Sequence, residues 1–171
     1  VSEGYAFPQE TVSLVESNLR EVNDFPAPGV IFRDITPLIA DPEGLRTLID
    51  ILTDRYRGKV DAVAGLESRG FILAAPLAYA LGVGMVTVRK AGRLPGPVVG
   101  VDYDLEYGSA RMELQPFTVE DGQRVLILDD VLATGGTANA AFDLIEQSGG
   151  EAVGLCVLIE LADLGGRAKL E

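Results

Sequence analysis

The sequence contains no histidine and no tryptophan, and it has a single cysteine, Cys156. Without histidine, catalysis by a histidine base and metal sites with histidine ligands are excluded. One cysteine cannot form a disulfide within the chain, and Cys156 lies in an apolar run, where a small buried hydrophobe is expected. No apolar run approaches the ~20 residues of a membrane span. Since no stretch is typical of a signal peptide, we expect a cytoplasmic protein.

Basic residues are also few, 14 Lys and Arg against 26 Asp and Glu, which gives a net charge of −12. This balance argues against a nucleic-acid partner, because nucleic-acid-binding domains carry a basic footprint. The 171 residues, 47% of them hydrophobic and 23% charged, predict one globular domain spanning residues 1–171. An anionic ligand would need cations gathered locally. Arg89, Lys90 and Arg93 lie within five positions, and Arg69 lies in a separate short loop.

Short apolar runs alternate with helix-like stretches along most of the chain. Runs at 60–66, 85–88, 125–128 and 153–159 predict buried strands, and helices are predicted at 11–22, after Asp41, at 71–81 and at 138–147. Residues 98–115 are typical of a hairpin. The alternation predicts an α/β fold with a mainly parallel central sheet flanked by helices.

Segments with residues suited to bind a ligand follow four of the predicted strands. They occupy positions 67–70, 89–90, 129–137 and 160–161. Ligands of parallel α/β sheets bind beyond the carboxyl ends of the strands. We therefore expect these four segments to meet at one rim of the sheet.

The segment 129–137 reads Asp-Asp-Val-Leu-Ala-Thr-Gly-Gly-Thr and precedes a predicted helix. Paired glycines let backbone N–H groups approach an anion, and the helix directs its positive end toward the same place. Thr134 and Thr137 add hydroxyl donors. Asp129 and Asp130 would repel a phosphate and are suited to accept hydrogen bonds from sugar hydroxyls or to approach a cation. A ribose 5-phosphate fits this combination, although an ordinary strand–turn–helix stays open as the alternative.

Two other phosphate-binding motifs are excluded by spacing. A Walker loop requires Ser or Thr after its Gly-Lys pair, and Gly58-Lys59 is followed by Val60. The dinucleotide fingerprint requires G-x-G-x-x-G after the strand, which Gly135-Gly136 does not supply.

Residues 128–137 resemble the phosphoribosyl-pyrophosphate (PRPP) motif of the type I phosphoribosyltransferase family. Three further segments are similar to its adenine-specific members: 25–37 to the base-binding segment, 65–71 to the pyrophosphate loop, and 89–96 with 105–108 to the mobile loop. The resemblance covers nearly the whole chain in family order. It implies a small hood in residues 1–37 that contributes to base binding, and a mobile β-hairpin loop.

The resemblance implies transfer of the 5-phosphoribosyl group from PRPP to adenine, giving AMP and pyrophosphate in purine salvage. It implies Mg²⁺ carried mainly by PRPP and pyrophosphate, with no metal site built from protein ligands. It further implies a homodimer whose basic loop lies near the neighbouring subunit's site. The small-molecule partners would be adenine and PRPP, with no nucleic acid and no membrane.

The resemblance also assigns residues. Those expected to bind PRPP or AMP are Arg69, Arg89, Lys90, Arg93, Tyr107, Asp129, Asp130, Ala133, Thr134, Gly135, Gly136 and Thr137. Those expected to frame adenine are Ile31, Phe32, Arg33 and Leu161. Glu106 is expected to be the acid–base residue, because its loop would close over the base and the leaving group. A cis peptide is expected between Glu67 and Ser68.

Alternatives remain within this interpretation. Glu106 read alone is a solvated hairpin acid, and residues 25–37 read alone form a surface connection. The base could be another purine such as xanthine, or the chain could be a PRPP-sensing regulatory module, although its charge is wrong for DNA. The chain departs from the family where it ends soon after residues 166–170. That departure concerns the outer wall of the base pocket rather than the PRPP site.

Overall fold

The computed structural model of the protein describes residues 7–104 and 108–170. The chain divides into two compact units, Val1–Arg55 and Tyr56–Glu171. The assignment of one functional domain, with a hood in residues 1–37, stays a prediction.

The first unit combines three helices with a two-stranded antiparallel sheet. Its elements are α1 (Gln9–Ser17), β1 (Arg20–Asn23), β2 (Ile31–Asp34), α2 (Thr36–Ala40) and α3 (Pro42–Tyr56). The Asp41 carboxylate accepts hydrogen bonds from the N–H groups of Glu43 (3.3 Å) and Gly44 (3.0 Å). The helix start expected after Asp41 is therefore confirmed, with the side chain satisfying N–H groups that have no partner in the helix.

The helix predicted at 11–22 is wrong at its carboxyl end. Helix α1 stops at Ser17, and the Asn18 side-chain amide donates to the Leu14 carbonyl at 2.9 Å. Residues 20–23 then pair with β2, with Val22 opposite Phe32. The apolar spacing that indicated one long helix in fact runs through a helix and the strand after it. Pairing with a distant strand determines that residues 20–23 are a strand rather than a continuation of the helix.

The second unit is built on a six-stranded sheet with strand order β5-β6-β4-β3-β7-β8. Its strands are β3 (Ala62–Leu66), β4 (Gly84–Lys90), β5 (Val99–Asp104), β6 (Ser109–Leu114), β7 (Arg124–Leu132) and β8 (Glu151–Glu160). Strands β4, β3, β7 and β8 are parallel, whereas β5 and β6 pair antiparallel with each other and β6 with β4. The predicted mainly parallel sheet is confirmed.

Helices α4 (Arg69–Leu81) and α5 (Gly136–Gln147) flank this sheet. Alternate residues of β3, Ala62, Ala64 and Leu66, join a buried cluster with Ala141 and Leu144 of α5. Gly65, between them, faces the other helix: a Cβ there would lie 2.9 Å from the Cβ of Ala74 in α4. The sheet thus buries both faces, which explains the continuous apolar runs of its central strands. No helix in the described ranges is both long and apolar enough to cross a membrane.

Strand β7 is longer than its apolar run. The prediction ended it at Leu128, but pairing with β8 continues through Asp129 opposite Val157 to Leu132 opposite Glu160. The acidic pair therefore lies inside the strand rather than after it. Because side chains alternate along a strand, the two carboxylates have different surroundings.

Candidate active site

The carboxyl ends of β3, β4, β7 and β8 lie at one edge of the sheet, because these strands are parallel neighbours. The four segments singled out in the sequence therefore share one rim. A cavity of about 240 Å³ at this rim is lined by Glu67, Ser68, Arg69, Lys90, Asp129, Asp130 and Val131. A second cavity of about 160 Å³ is lined by Asp129, residues 131–138, Leu155 and Val157. Asp129 and Val131 line both cavities, so the two adjoin.

The acidic pair on β7 has one buried and one half-buried member. Asp130 is 2% exposed, and its carboxylate accepts a hydrogen bond from Nε of Arg69. Its backbone N–H donates to the Asp129 carboxylate at 2.9 Å. Burial, followed by the charge of Asp130, raises the pKa of Asp129 to about 8. The site thus holds Asp129 protonated near neutral pH and Asp130 against a guanidinium.

The turn at 133–137 joins β7 to α5. Gly135 precedes the first helical residue with φ +84°, a conformation that side-chain-bearing residues rarely adopt, and its carbonyl accepts from the Asn139 N–H at 2.9 Å. Gly136 begins α5. Residues 135–138 at this helix start line the 160 Å³ cavity, and the first N–H groups of a helix have no partner within the helix, as a phosphate-binding turn requires.

The loop after β3 carries the feature that the family resemblance implied. The Glu67–Ser68 peptide is cis, so that prediction is confirmed. Helix α4 begins directly afterwards at Arg69. Gly70 lies against β7, since a Cβ there would be 2.7 Å from the carbonyl oxygen of Leu128. This close approach places Arg69 beside the acidic pair.

The carboxylate of Glu67 holds the end of β4 through one side chain and one backbone group. Nε of Arg89 donates to Glu67 at 3.0 Å, and the Lys90 N–H donates to the same carboxylate oxygen at 3.2 Å. Arg89 also donates to the carbonyl of Arg93 at 3.2 Å. Of the predicted cationic residues, Arg69 and Lys90 line the 240 Å³ cavity, and Arg89 pairs with Glu67, which also lines it.

The Phosphoribosyl transferase domain model matches residues 39–169. The chain is 57% identical to the adenine phosphoribosyltransferase of Clavibacter sepedonicus over 164 residues. This match covers 95% of this chain and 85% of the relative. The chain is 55% identical over 159 residues to the enzyme of that name from Thermobifida fusca, covering 92% of this chain and 90% of the relative. The chain belongs to the adenine phosphoribosyltransferase family.

Solved structures of this family have the same fold. The adenine phosphoribosyltransferase of Thermoanaerobacter pseudethanolicus matches with a TM-score of 0.89 and 44% identity, covering 94% of each chain. The Saccharomyces cerevisiae enzyme, solved with an imino-altritol bisphosphate and adenine, matches with a TM-score of 0.90 and 39% identity over 96% of each chain. The α/β architecture that carries the rim is therefore the architecture of adenine phosphoribosyltransferases.

The residues that the family resemblance assigned to adenine lie in two places. Ile31, Phe32 and Arg33 form most of β2 in the first unit. There Ile31 is 56% exposed, Phe32 packs edge-on against Phe25 with ring centroids 5.2 Å apart, and Arg33 pairs with Glu21 at 3.1 Å. Leu161 follows β8 at the rim of the second unit and donates its N–H to the Leu132 carbonyl at 2.9 Å. Their role in base binding stays a prediction.

Two other expected residues of the adenine phosphoribosyltransferase site, Glu106 and Tyr107, lie outside the described residues. Their assignments as acid–base residue and ligand contact also stay predictions.

Sequence reasoning missed three residues that support the site. Glu67 holds Arg89 and the Lys90 backbone, Glu113 on β6 accepts from the Gly92 N–H at 3.0 Å, and the Tyr103 hydroxyl meets Thr137. Glu67 lies in the segment 67–70 singled out above, and its pairing could have been predicted, because an acid beside a predicted anion-binding loop needs a cation. Glu113 and Tyr103 carry no local signal, since their partners lie 21 and 34 positions away.

Replacing Gly135 by Ala should weaken binding of PRPP and AMP at least about tenfold, because the turn must shift to accept a Cβ. That Cβ would lie 2.7 Å from the Gly166 carbonyl oxygen, which itself belongs to backbone. Calorimetric titration with AMP measures the loss.

Gly165→Ala is the matched control. Gly165 also has positive φ, +64°, but a Cβ there meets nothing within 4 Å. Strain alone should lower stability in both variants, and the Gly135 assignment fails if the two bind AMP equally well.

Proposed function

We propose that the protein transfers the 5-phosphoribosyl group from PRPP to adenine and releases AMP and pyrophosphate. The observation that carries this proposal is the pair of adjoining cavities that share Asp129. One is suited to a phosphate through its glycine turn and helix terminus, and the other combines the cis loop with Arg69 and Lys90. A ribose spanning the two would carry a 5-phosphate at one end and a pyrophosphate at the other.

The reaction breaks the bond between the anomeric carbon and a pyrophosphate oxygen and forms a bond from that carbon to a ring nitrogen of adenine. The bonding electrons leave with pyrophosphate, and the proton of the adenine N–H must leave as well. We assign the proton transfer to Glu106, as the resemblance suggests. Positioning the base in line and stabilising the leaving group are the other tasks of the protein.

The described residues of the turn at 133–137, the acidic pair and Arg69 have separate tasks in this scheme. The N–H groups of residues 133–137 hold the 5-phosphate, with hydroxyls from Thr134 and Thr137. Asp129, half-buried between the cavities, accepts hydrogen bonds from the ribose hydroxyls. Asp130 orients Arg69, whose guanidinium borders the cavity assigned to pyrophosphate.

Positive charges near the departing pyrophosphate come from the end of β4. Lys90 lines the cavity assigned to pyrophosphate, and Arg89 is held beside it by Glu67. With a net charge of −12 over the chain, these local cations are needed to attract PRPP. We also propose a homodimer in which Arg93 lies near the neighbouring site, and a cytoplasmic location.

Magnesium fits this site as a substrate-borne ion. The described residues contain no group of three or more acidic or cysteine side chains that could hold a metal. Mg²⁺ commonly keeps several waters and binds one or two carboxylates together with substrate phosphates. PRPP oxygens and water would supply its ligands, and when bound it would neutralise charge on the departing pyrophosphate. Glu67, Asp129 and Asp130 are the described carboxylates that line that cavity.

The direct test is AMP formation from adenine, PRPP and Mg²⁺, with guanine, hypoxanthine and xanthine assayed in parallel. We expect adenine to be preferred by at least about 100-fold in kcat/KM, since a site built to hydrogen-bond one base edge rejects another. Preferred turnover of xanthine would contradict the base assignment and favour the other-purine alternative. Binding of PRPP without turnover of any base would favour the sensing module.

A further inference from the structure

Tyr103 contacts two consecutive residues of the phosphate-binding turn from outside the turn. It lies on β5 between the exposed Asp102 and Asp104, with its ring half-buried against the core beneath α5. A Cβ on Gly136 would lie only 2.9 Å from Cδ2 of this ring. The Tyr103 hydroxyl is 3.3 Å from Oγ1 of Thr137, which donates to it. The ring therefore supports the first residue of α5, and the hydroxyl engages the second.

The hydrogen bond between the two hydroxyls is long. The oxygens of hydrogen-bonded hydroxyl pairs usually lie about 2.5–3.0 Å apart, so at 3.3 Å the hydrogen bond from Thr137 to Tyr103 is weak. A hydroxyl can donate one hydrogen bond and accept others. When a phosphate binds, the Thr137 hydroxyl can donate its hydrogen bond to a phosphate oxygen and accept one from the Tyr103 hydroxyl. The phosphate oxygen is the preferred acceptor for Thr137 because it is charged.

We propose that Tyr103 is a positioning residue for the 5-phosphate of the ligand. It acts through Thr137: the Tyr103 O–H donates to Oγ1 of Thr137, and Thr137 donates to the phosphate. The relay fixes the Thr137 rotamer and strengthens its donation, since hydrogen bonds in a chain polarise one another. The inference rests on the proposed function only in requiring that the turn bind a phosphate.

The test compares phosphorylated and unphosphorylated ligands on Tyr103→Phe, which keeps the ring against Gly136 and removes only the hydroxyl. Titrations use AMP, adenosine and ribose 5-phosphate, alongside kcat and KM for PRPP. We expect AMP and ribose 5-phosphate to bind about 10-fold more weakly, adenosine to bind unchanged, and the KM for PRPP to rise with kcat within about twofold. Tyr79→Phe is the matched control, because Tyr79 is 89% exposed on α4.

A double-mutant cycle separates positioning from general support of the fold. Tyr103→Phe should cost little in a Thr137→Val background, because the residue through which Tyr103 acts is already absent. Additive losses in the two variants, equal weakening of AMP and adenosine, or unchanged AMP binding by Tyr103→Phe would each overturn the proposal.

The same titrations distinguish its failure from failure of the proposed function. If the parent protein binds ribose 5-phosphate more tightly than Tyr103→Phe does, but does not use adenine, the inference stands and the base assignment falls. If the parent binds no phosphorylated ligand, both fall.

Discussion

An Asp129→Asn variant should be more stable than the parent protein at pH 7 and should lose most of its activity. Burial and the neighbouring Asp130 raise the pKa of Asp129 from 3.8 to about 8, so the folded protein holds a proton that the unfolded chain releases. Between these values stability falls as pH rises, because the folded state binds the additional proton. Asparagine has the shape of the protonated acid without this penalty. We expect a gain of about 1–3 kcal/mol at pH 7.

Urea unfolding at pH 5, 7 and 9 measures this effect. The difference between variant and parent should be smallest at pH 5, grow up to about pH 8 and level off above it, following the pKa of about 8. Asp50→Asn, at an exposed position of α3, is the matched control and should show no such growth. A pH-independent difference would refute the assignment of a raised pKa to Asp129.

The activity of the same variant should move in the opposite direction. The amide nitrogen of asparagine cannot accept a hydrogen bond from a ribose hydroxyl, whereas both oxygens of the Asp129 carboxyl can, so kcat/KM for PRPP should fall about 10- to 100-fold. A stabilising substitution that removes activity is the expected behaviour of a group kept in place for ligand binding. Full activity in Asp129→Asn would show that the ribose is held elsewhere.

The second large effect concerns Arg69. Arg69→Ala leaves the Asp130 carboxylate, with a side chain 3% exposed, without the guanidinium that pairs with it. Breaking a buried pair from one side should cost about 3 kcal/mol, the lower end of the usual range, because Arg69 is itself 37% exposed. The urea midpoint should fall accordingly, and the KM for PRPP should rise, since the guanidinium borders the cavity assigned to pyrophosphate.

The double variant Arg69→Ala, Asp130→Asn separates the two consequences. Without a buried charge, it should recover most of the lost stability but none of the PRPP affinity. Arg124→Ala, which breaks the exposed pair with Asp61, is the control and should lose much less stability. If the double variant is no more stable than Arg69→Ala, an unpaired Asp130 is not the cause of the loss.

Much of the site could be predicted because its signals are local. The turn at 133–137 shows its paired glycines, its hydroxyls and the following helix within nine residues of Asp129. The parallel sheet follows from apolar runs that alternate with helices, and its rim follows from the rule for strand ends. The cis peptide at Glu67 came from the family resemblance alone, since no pattern of residue types demands it.

The predictions of element ends were wrong where pairing with a distant strand determines the secondary structure. Strand β7 continues past its apolar run because β8 supplies hydrogen bonds as far as Glu160, although two acidic residues interrupt the pattern. Helix α1 ends early because residues 20–23 pair with β2. In both cases backbone groups are satisfied by another segment of the chain, and side-chain periodicity does not report on that.

The sequence by itself determined the α/β class, the rim at which the segments predicted to bind ligand lie, and the residue types of the turn at 133–137. Those properties depend on periodicity and on glycine and helix-terminus chemistry, which act over a few residues. Only the tertiary structure decided that Arg69 pairs with Asp130, that Glu67 holds Arg89, and that Tyr103 supports the turn. These partners are 61, 22 and 34 positions apart, so strand order and register had to bring them together.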